Sequence, residues 1–175
     1  LSETSGQTAP LDASLLLGAA MGLDRAQVLA RWRPSLSKAE EHRYLELLDR
    51  RTAGISTSVL TGHREFWGLD FLVSEQVLVP RPETELLVEK ALEYIDNRLK
   101  TPSRAGTEGA ESQTPLRILD LCTGSLCIAA SLKNERPSLE VHAADLSSRA
   151  LALARENARR ILGNVEAISF HEGDL

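Results

Sequence analysis

Apolar and polar positions follow two different periods along this chain, and the change between them divides it. From Asp12 to Arg51 the apolar residues recur at helical spacing, with Leu15, Leu16 and Ala19 on one stripe and Tyr44, Leu45 and Leu48 on another. Two start signals punctuate this stretch. Asp24 precedes Gln27 by three residues, and its carboxylate oxygen suits the unpaired N–H groups of a first helical turn. Ser37 with Glu40 has the spacing of a capping box, in which each side chain accepts from the other's backbone. Pro34 marks a break between them. Residues 1–11, small and polar, are expected to be loose. The pattern predicts a small antiparallel helical domain.

The period then changes. Aromatic and β-branched residues around Gly68, from Glu65 to Val73, predict a short hairpin. Val77-Leu78-Val79 reads as another extended run, stopped by Pro80 and Pro82. Pro82 suits the first turn of a helix, where a missing N–H costs nothing, and Glu83 and Glu85 favour the positive end of that helix. This helix is expected to reach about Lys100, with Leu87, Ala91 and Ile95 on its inner face. Residues 101–115 lack apolar periodicity and read as a flexible loop. From Leu116 the pattern alternates. A strand over 116–121 is followed by a helix over 125–133 and a strand over 139–144. A helix capped by Ser147 then runs to about Leu162 and stops at Gly163, and a third strand covers 165–170. Such alternation predicts an α/β domain with three parallel strands in the order 3-2-1 and crossover helices.

Composition narrows the choices. Of 175 residues, 42% are apolar and 26% charged, an ordinary globular balance. The net charge of −5 argues against a general nucleic-acid binder, which needs a basic surface to displace counterions. In residues 1–52 seven Lys/Arg offset seven Asp/Glu, so that domain implies no electrostatic partner. No apolar run reaches the roughly 18 residues of a membrane span, and no basic segment leads into an apolar one, so neither a membrane nor a secretory signal is expected. Cys122 and Cys127 lack metal or redox spacing and read as two buried free thiols. The four histidines, His42, His63, His142 and His171, are scattered, so no metal is expected. A reducing cytoplasm is the simplest compartment.

The chemistry concentrates at strand ends. The turn Asp120-Leu121-Cys122-Thr123-Gly124-Ser125-Leu126 joins the first of these strands to its helix, and the free N–H groups at a helix start favour a negative ligand group. Asp145 ends the next strand, where an acid can accept two hydrogen bonds from a ribose. Asp174 follows the third strand and could reach an adenine. A nucleoside-containing cofactor across the strand ends fits these positions. The Gly-x-Gly-x-x-Gly fingerprint of nicotinamide sites is absent, and Asp120 suits a cationic methionine part such as that of S-adenosylmethionine (SAM). The alternative is a plain α/β domain whose strand-end acids only cap helices.

Several blocks together resemble the PrmC/HemK family, the glutamine N5-methyltransferases that modify peptide-chain release factors. They are Leu60 to Leu69, Val79-Pro80-Arg81-Pro82-Glu83-Thr84-Glu85-Leu86-Leu87-Val88-Glu89, and Arg117 to Ala129. Ala144-Asp145-Leu146-Ser147 and Gly173-Asp174-Leu175 fall where the family's next motifs belong. The resemblance runs in order over residues 12–175. It implies a class I SAM-dependent, Rossmann-like methyltransferase domain, apparently truncated, behind a small α-helical domain. The implied divisions are a release-factor-recognition domain over 1–62, a hairpin linker over 63–80 and the first half of the SAM domain over 81–175.

By the same resemblance, Cys122, Thr123, Gly124, Ser125 and Leu126 occupy the SAM loop and Asp145 the ribose-binding acid. Leu175 lies by the adenine next to Asp174. Arg81, Thr84 and Glu85 belong to a block close to the cofactor, although a surface ion pair for Arg81 and a helix cap for Thr84 remain open. The partner implied is a release factor, with no direct nucleic acid, membrane or metal.

Two departures stand out. The family turn carries glycines where this chain has Cys122 and Leu126, so the Leu126 side chain is expected to intrude on the methionine part of SAM, and glycine at both positions to improve binding. The family's Asn-Pro-Pro-Tyr motif, which grips the substrate amide, has no counterpart in these 175 residues. The resemblance therefore implies glutamine methylation in the Gly-Gly-Gln loop of release factors. The alternatives are a non-catalytic truncated relic or SAM-binding fragment, and a DNA-adenine methylating relative, against which the acidic charge and helical front domain speak.

Overall fold

The computed structural model describes residues 5–31, 35–100 and 116–174. The chain forms two compact units, Leu1–His63 and Arg64–Leu175. Pro34 and the stretch 101–115 lie outside the described residues.

The first unit is helical: α1 (Ser5–Met21), α2 (Arg25–Ala30), α3 (Lys38–Thr52) and α4 (Thr57–Thr61). Helix α1 starts at Ser5, so the expectation of a loose segment up to residue 11 fails there. The helix runs through Pro10, giving up one backbone bond. It ends at Gly22, whose φ of 67° lets Leu23 N–H turn back to the Gly18 carbonyl at 2.9 Å. A Cβ on Gly18 would stand 2.6 Å from the Leu23 oxygen, so that closure requires glycine there. The predicted helix start at Asp24 and capping box at Ser37 both form, and Gln27 completes a second box at Asp24. Gln27 N–H donates to Asp24 at 2.7 Å, and Ser37 N–H donates to Glu40 at 2.8 Å. Leu16 and Ala20 of α1 and Val28 of α2 are buried. On α3 the inner face is Tyr44, Leu47 and Leu48, while Leu45 is exposed. Arg51 of α3 binds Asp12 of α1 at 3.0 Å.

The second unit opens with the hairpin β1 (His63–Phe66) and β2 (Leu69–Leu72). Its two-residue turn, Trp67-Gly68, has φ of 55° and 67°. Positive φ at both turn positions matches the right-handed twist of the strands. Phe66 and Phe71 meet edge to face at 6.1 Å, both fully buried. The run Val77-Leu78-Val79 forms no strand. Val77 N–H closes a turn on the Ser74 carbonyl, and the prolines that follow lack ladder donors.

Pro82–Thr84 is a single 3-10 turn leading into α5 (Glu85–Lys100). The buried positions of α5 are Val88 and Ile95, with Ala91 and Leu92 packed beside them, while Leu87 is exposed. Ala91 and Ile95 thus face inward as expected, while Val88 takes the place expected for Leu87.

Strands β3 (Arg117–Leu121), β4 (Glu140–Asp145) and β5 (Ile168–Glu172) alternate with α6 (Cys127–Glu135) and α7 (Ser148–Leu162). The sheet is parallel throughout in the order β3-β4-β5, as the alternation predicts. The third strand begins at Ile168 because Val165–Ala167 forms a 3-10 turn capped by Asn164. One face of the sheet, with Val141, Ala143 and Ile168, joins Val88 and Ile95 of α5, Ala129 and Leu132 of α6, and Ala154 and Ala158 of α7 in one core. Arg136 after α6 grips Asp96 of α5 through two parallel 2.8 Å bonds. The opposite face carries Leu119, Leu121, His142, Ala144 and His171 around a shallow hollow of about 520 Å³. Leu119 and Leu121 are 53% and 45% exposed there, which contrasts with the covered face.

Candidate cofactor loop at the strand ends

The turn after β3 runs against the local preference of its residues. Cys122, Gly124 and Leu126 all have positive φ, at 58°, 54° and 71°. For Cys122 and Leu126 this places Cβ close to the following carbonyl. Backbone and carboxylate hydrogen bonds help to hold the turn in place. Thr123 N–H extends the ladder to the Ala144 carbonyl at 3.0 Å, and Leu126 N–H closes on the Thr123 carbonyl at 2.8 Å. Asp120 Oδ2 accepts from the Thr123 hydroxyl at 2.7 Å and from Ala129 N–H at 3.3 Å. Asp145 Oδ2 accepts from Gly124 N–H at 2.9 Å, and its Oδ1 accepts from Ser147 N–H at 2.9 Å.

The two carboxylates differ. Asp120 faces inward on the helix-covered side of β3. Burial pushes its carboxyl above the ordinary range, the bonds from Thr123 and Ala129 pull it back, and the charge of Asp145 adds to the rise. Asp145 is half-buried at the open end of β4. Each of its oxygens takes one backbone N–H, and each retains a second lone pair. Strand β5 ends beside it, since Gly173 N–H reaches the Asp145 carbonyl at 3.3 Å. Both acids therefore serve as caps, and the position and orientation of Asp145 also leave it able to accept from a ligand diol.

The structure brings Asp120, Cys122, Thr123, Gly124, Ser125, Leu126 and Asp145 together. Asp174 is exposed just beyond β5, and Leu175 lies outside the described residues. Arg81 is exposed ahead of α5, and its carbonyl takes Thr84 N–H at 3.0 Å, a bond local to that turn. Glu85 caps the hairpin instead, accepting Trp67 N–H at 2.8 Å. Two expectations are corrected. Leu126 does not intrude on the loop's open side: its side chain is fully buried in the core, because the positive φ turns Cβ inward. The thiols are not both buried: Cys122 is exposed, while Cys127 is buried and burial pushes its thiol up to about 11.

One residue escaped the sequence reading. Asn157 on α7 has no exposed surface, and its amide bonds Leu72 of the hairpin and the Ser125 carbonyl of the loop. The available signal was an amide on a stripe otherwise made of Ala150, Leu151, Ala154, Ala158 and Ile161. Among the described residues no group of three or more His, Cys, Asp or Glu is placed to hold a metal ion, and no helix is long and apolar enough to cross a membrane.

Residues 1–62 match the model of the PrmC N-terminal domain, and residues 106–175 match that of the methyltransferase small domain. Proteins named release factor glutamine methyltransferase are similar over nearly the whole chain. The Burkholderia pseudomallei protein is 44% identical over 167 residues, covering 94% of this chain and 53% of its own length. The Moorella thermoacetica protein is 42% identical over 165 residues, with the same shares of 94% and 53%. The Koribacter versatilis protein is 41% identical over 165 residues, covering 94% of this chain and 52% of its own length. The chain thus spans about half the length of these relatives.

Proposed function

We propose that the chain, which belongs to the release factor glutamine methyltransferase family, binds S-adenosylmethionine at the carboxyl ends of β3 and β4 and serves methylation of a release-factor glutamine amide. The observation that carries this reading is the Asp145 carboxylate, fixed at a strand end by Gly124 N–H and Ser147 N–H with accepting capacity to spare. Those spare acceptor sites fit the hydroxyls of a ribose diol, and the inward Leu126 leaves the outer side of the loop clear.

In this reading Asp145 takes the ribose hydroxyls, and the turn from Cys122 to Leu126 lies along the methionine part. Asp174 and Leu175 flank the adenine. Asp120 holds the turn through Thr123 and adds negative charge behind a cationic ligand. Arg81 and Thr84 close the site from the start of α5. When bound, the cofactor supplies an electrophilic methyl group on sulfonium. An amide nitrogen is a weak nucleophile, so the protein's contribution is orientation and proximity. The helical unit, matched over residues 1–62, is the surface for the release factor. A cytoplasmic protein that needs no metal fits the two free thiols.

The test is calorimetric titration of SAM into the wild type and Asp145→Ala. Loss of a charged acceptor is expected to weaken binding by about 1.5–3 kcal/mol. Equal affinity in the two proteins would refute the role of Asp145.

A further inference from the structure

We infer that Asn157 is a positioning residue, a strut that fixes the Ser125–Leu126 peptide of the loop and couples it to the hairpin. This rests on the proposed SAM site for its consequence, but the strut itself stands on geometry alone. Asn157 Oδ1 accepts Leu72 N–H at 2.8 Å, and Nδ2 donates to the Leu72 carbonyl at 2.9 Å. The amide thus bonds both backbone groups of one residue, as a neighbouring strand would, at the end of β2. Its second N–H donates to the Ser125 carbonyl at 2.9 Å.

The peptide that follows Ser125 is therefore held from both sides. Its carbonyl is bound by Asn157 and its N–H by the Thr123 carbonyl at 2.8 Å. Leu126 takes its positive φ immediately after this peptide and, as the N-cap residue of α6, offers no side-chain cap of its own. A buried amide with three satisfied bonds is costly to replace by an apolar residue, because two carbonyls and one N–H would be left without partners. Hairpin and loop otherwise lie far apart in sequence, and Asn157 is the side chain seen to bond both.

The strut is read first without any ligand. Cys127 follows the held peptide directly and is buried, while Cys122 is exposed, so labelling of Cys127 by a thiol reagent reports opening of the loop and Cys122 serves as the internal standard. Asn157→Ser is expected to raise the Cys127 rate, relative to Cys122, about ten-fold or more. Ala154→Gly, one turn earlier on the same buried face, weakens the helix without removing these bonds and is expected to leave that ratio within about two-fold. An unchanged ratio in Asn157→Ser, or an equal rise in Ala154→Gly, overturns the strut.

Titration with SAM gives the second reading. Affinity is expected to fall about ten-fold in Asn157→Ser and to stay unchanged in Ala154→Gly. Equal affinity in Asn157→Ser and wild type overturns the positioning role. A wild type that does not bind SAM, with the labelling ratio raised in Asn157→Ser, supports the strut and sinks the cofactor reading. Should Asn157→Ser fail to fold, hydrogen exchange in the wild type decides. SAM is expected to slow exchange at Leu72 N–H, and an unchanged Leu72 overturns the coupling.

Discussion

The helical unit and the loop after β3 reach their conformations by opposite means. In the helical unit several boundaries are set by the residues that occupy them. Asp24 and Ser37 cap their own helices, and Gly22 and Gly62 take the left-handed turns. In the loop two of the three left-handed positions fall to Cys122 and Leu126, and the N-cap residue of α6, Leu126, gives no side-chain cap, so Asp120 of β3 accepts Ala129 N–H. There the conformation is imposed from outside, by the core around Leu126 and by Asp120, Asp145 and Asn157. Local chemistry sets several ends of the N-terminal helices, whereas tertiary contacts set the shape of the proposed cofactor loop.

That difference can be broken most strongly at Leu126. Glycine there relieves about 1–2 kcal/mol of left-handed backbone cost but removes a fully buried leucine worth about 2–5 kcal/mol. Leu126→Gly is therefore expected to destabilise the second unit by about 1–3 kcal/mol net, measured by urea unfolding. A stabilised variant would mean that the core does not hold the loop. In the helical unit Ser37→Ala removes a cap that accepts Glu40 N–H, and should cost about 1 kcal/mol in the same measurement. A loss below a few tenths would show that α3 depends on tertiary packing after all.

At the exposed Cys122 only backbone cost is at stake. Cys122→Gly is expected to stabilise by about 0.5 kcal/mol, because the relief exceeds the extra freedom glycine gives the unfolded chain. A clear loss of stability would assign Cys122 a packing role.

The smallest effect concerns the slope of stability with pH. Burial raises the Asp120 carboxyl, so the folded protein holds that proton more tightly than the unfolded chain. Its contribution is full below the ordinary carboxylate range and is lost as pH rises through the raised value. Asp120→Asn keeps an oxygen for Thr123 and Ala129 and removes this loss. Its Tm should therefore gain on the wild type as pH rises from about 4 to 7. A difference in Tm that stays constant with pH would contradict the assignment.

The same division explains what was legible in the sequence. Capping boxes and the strand–helix alternation are local signals, and Ser37, Asp24, Ser147 and Gly163 stand where those signals place them. The gathering of Asp120, Gly124 and Asp145 followed from the alternation alone. Facing directions were less legible. The α5 face turns on Val88 rather than Leu87 because the core it meets includes Phe66 and Phe71 of the hairpin, which helical spacing within α5 cannot reveal. Val77 to Val79 looked extended but has no ladder to join. The inward turn of Leu126 depends on the sign of φ, which no side-chain pattern encodes, and Asn157 was hidden because its partners are backbone atoms of distant segments.

The hairpin turn has a practical consequence. Trp67 donates its indole N–H to Glu135 at the end of α6, at 3.0 Å, and only one other tryptophan, Trp32, occurs in the chain. The two fall on either side of the boundary between the units. Each unit thus carries its own intrinsic fluorophore. With Trp32 replaced by phenylalanine, the emission of Trp67 becomes an optical record of the second unit alone, so that melting of the sheet can be followed apart from melting of the N-terminal helices.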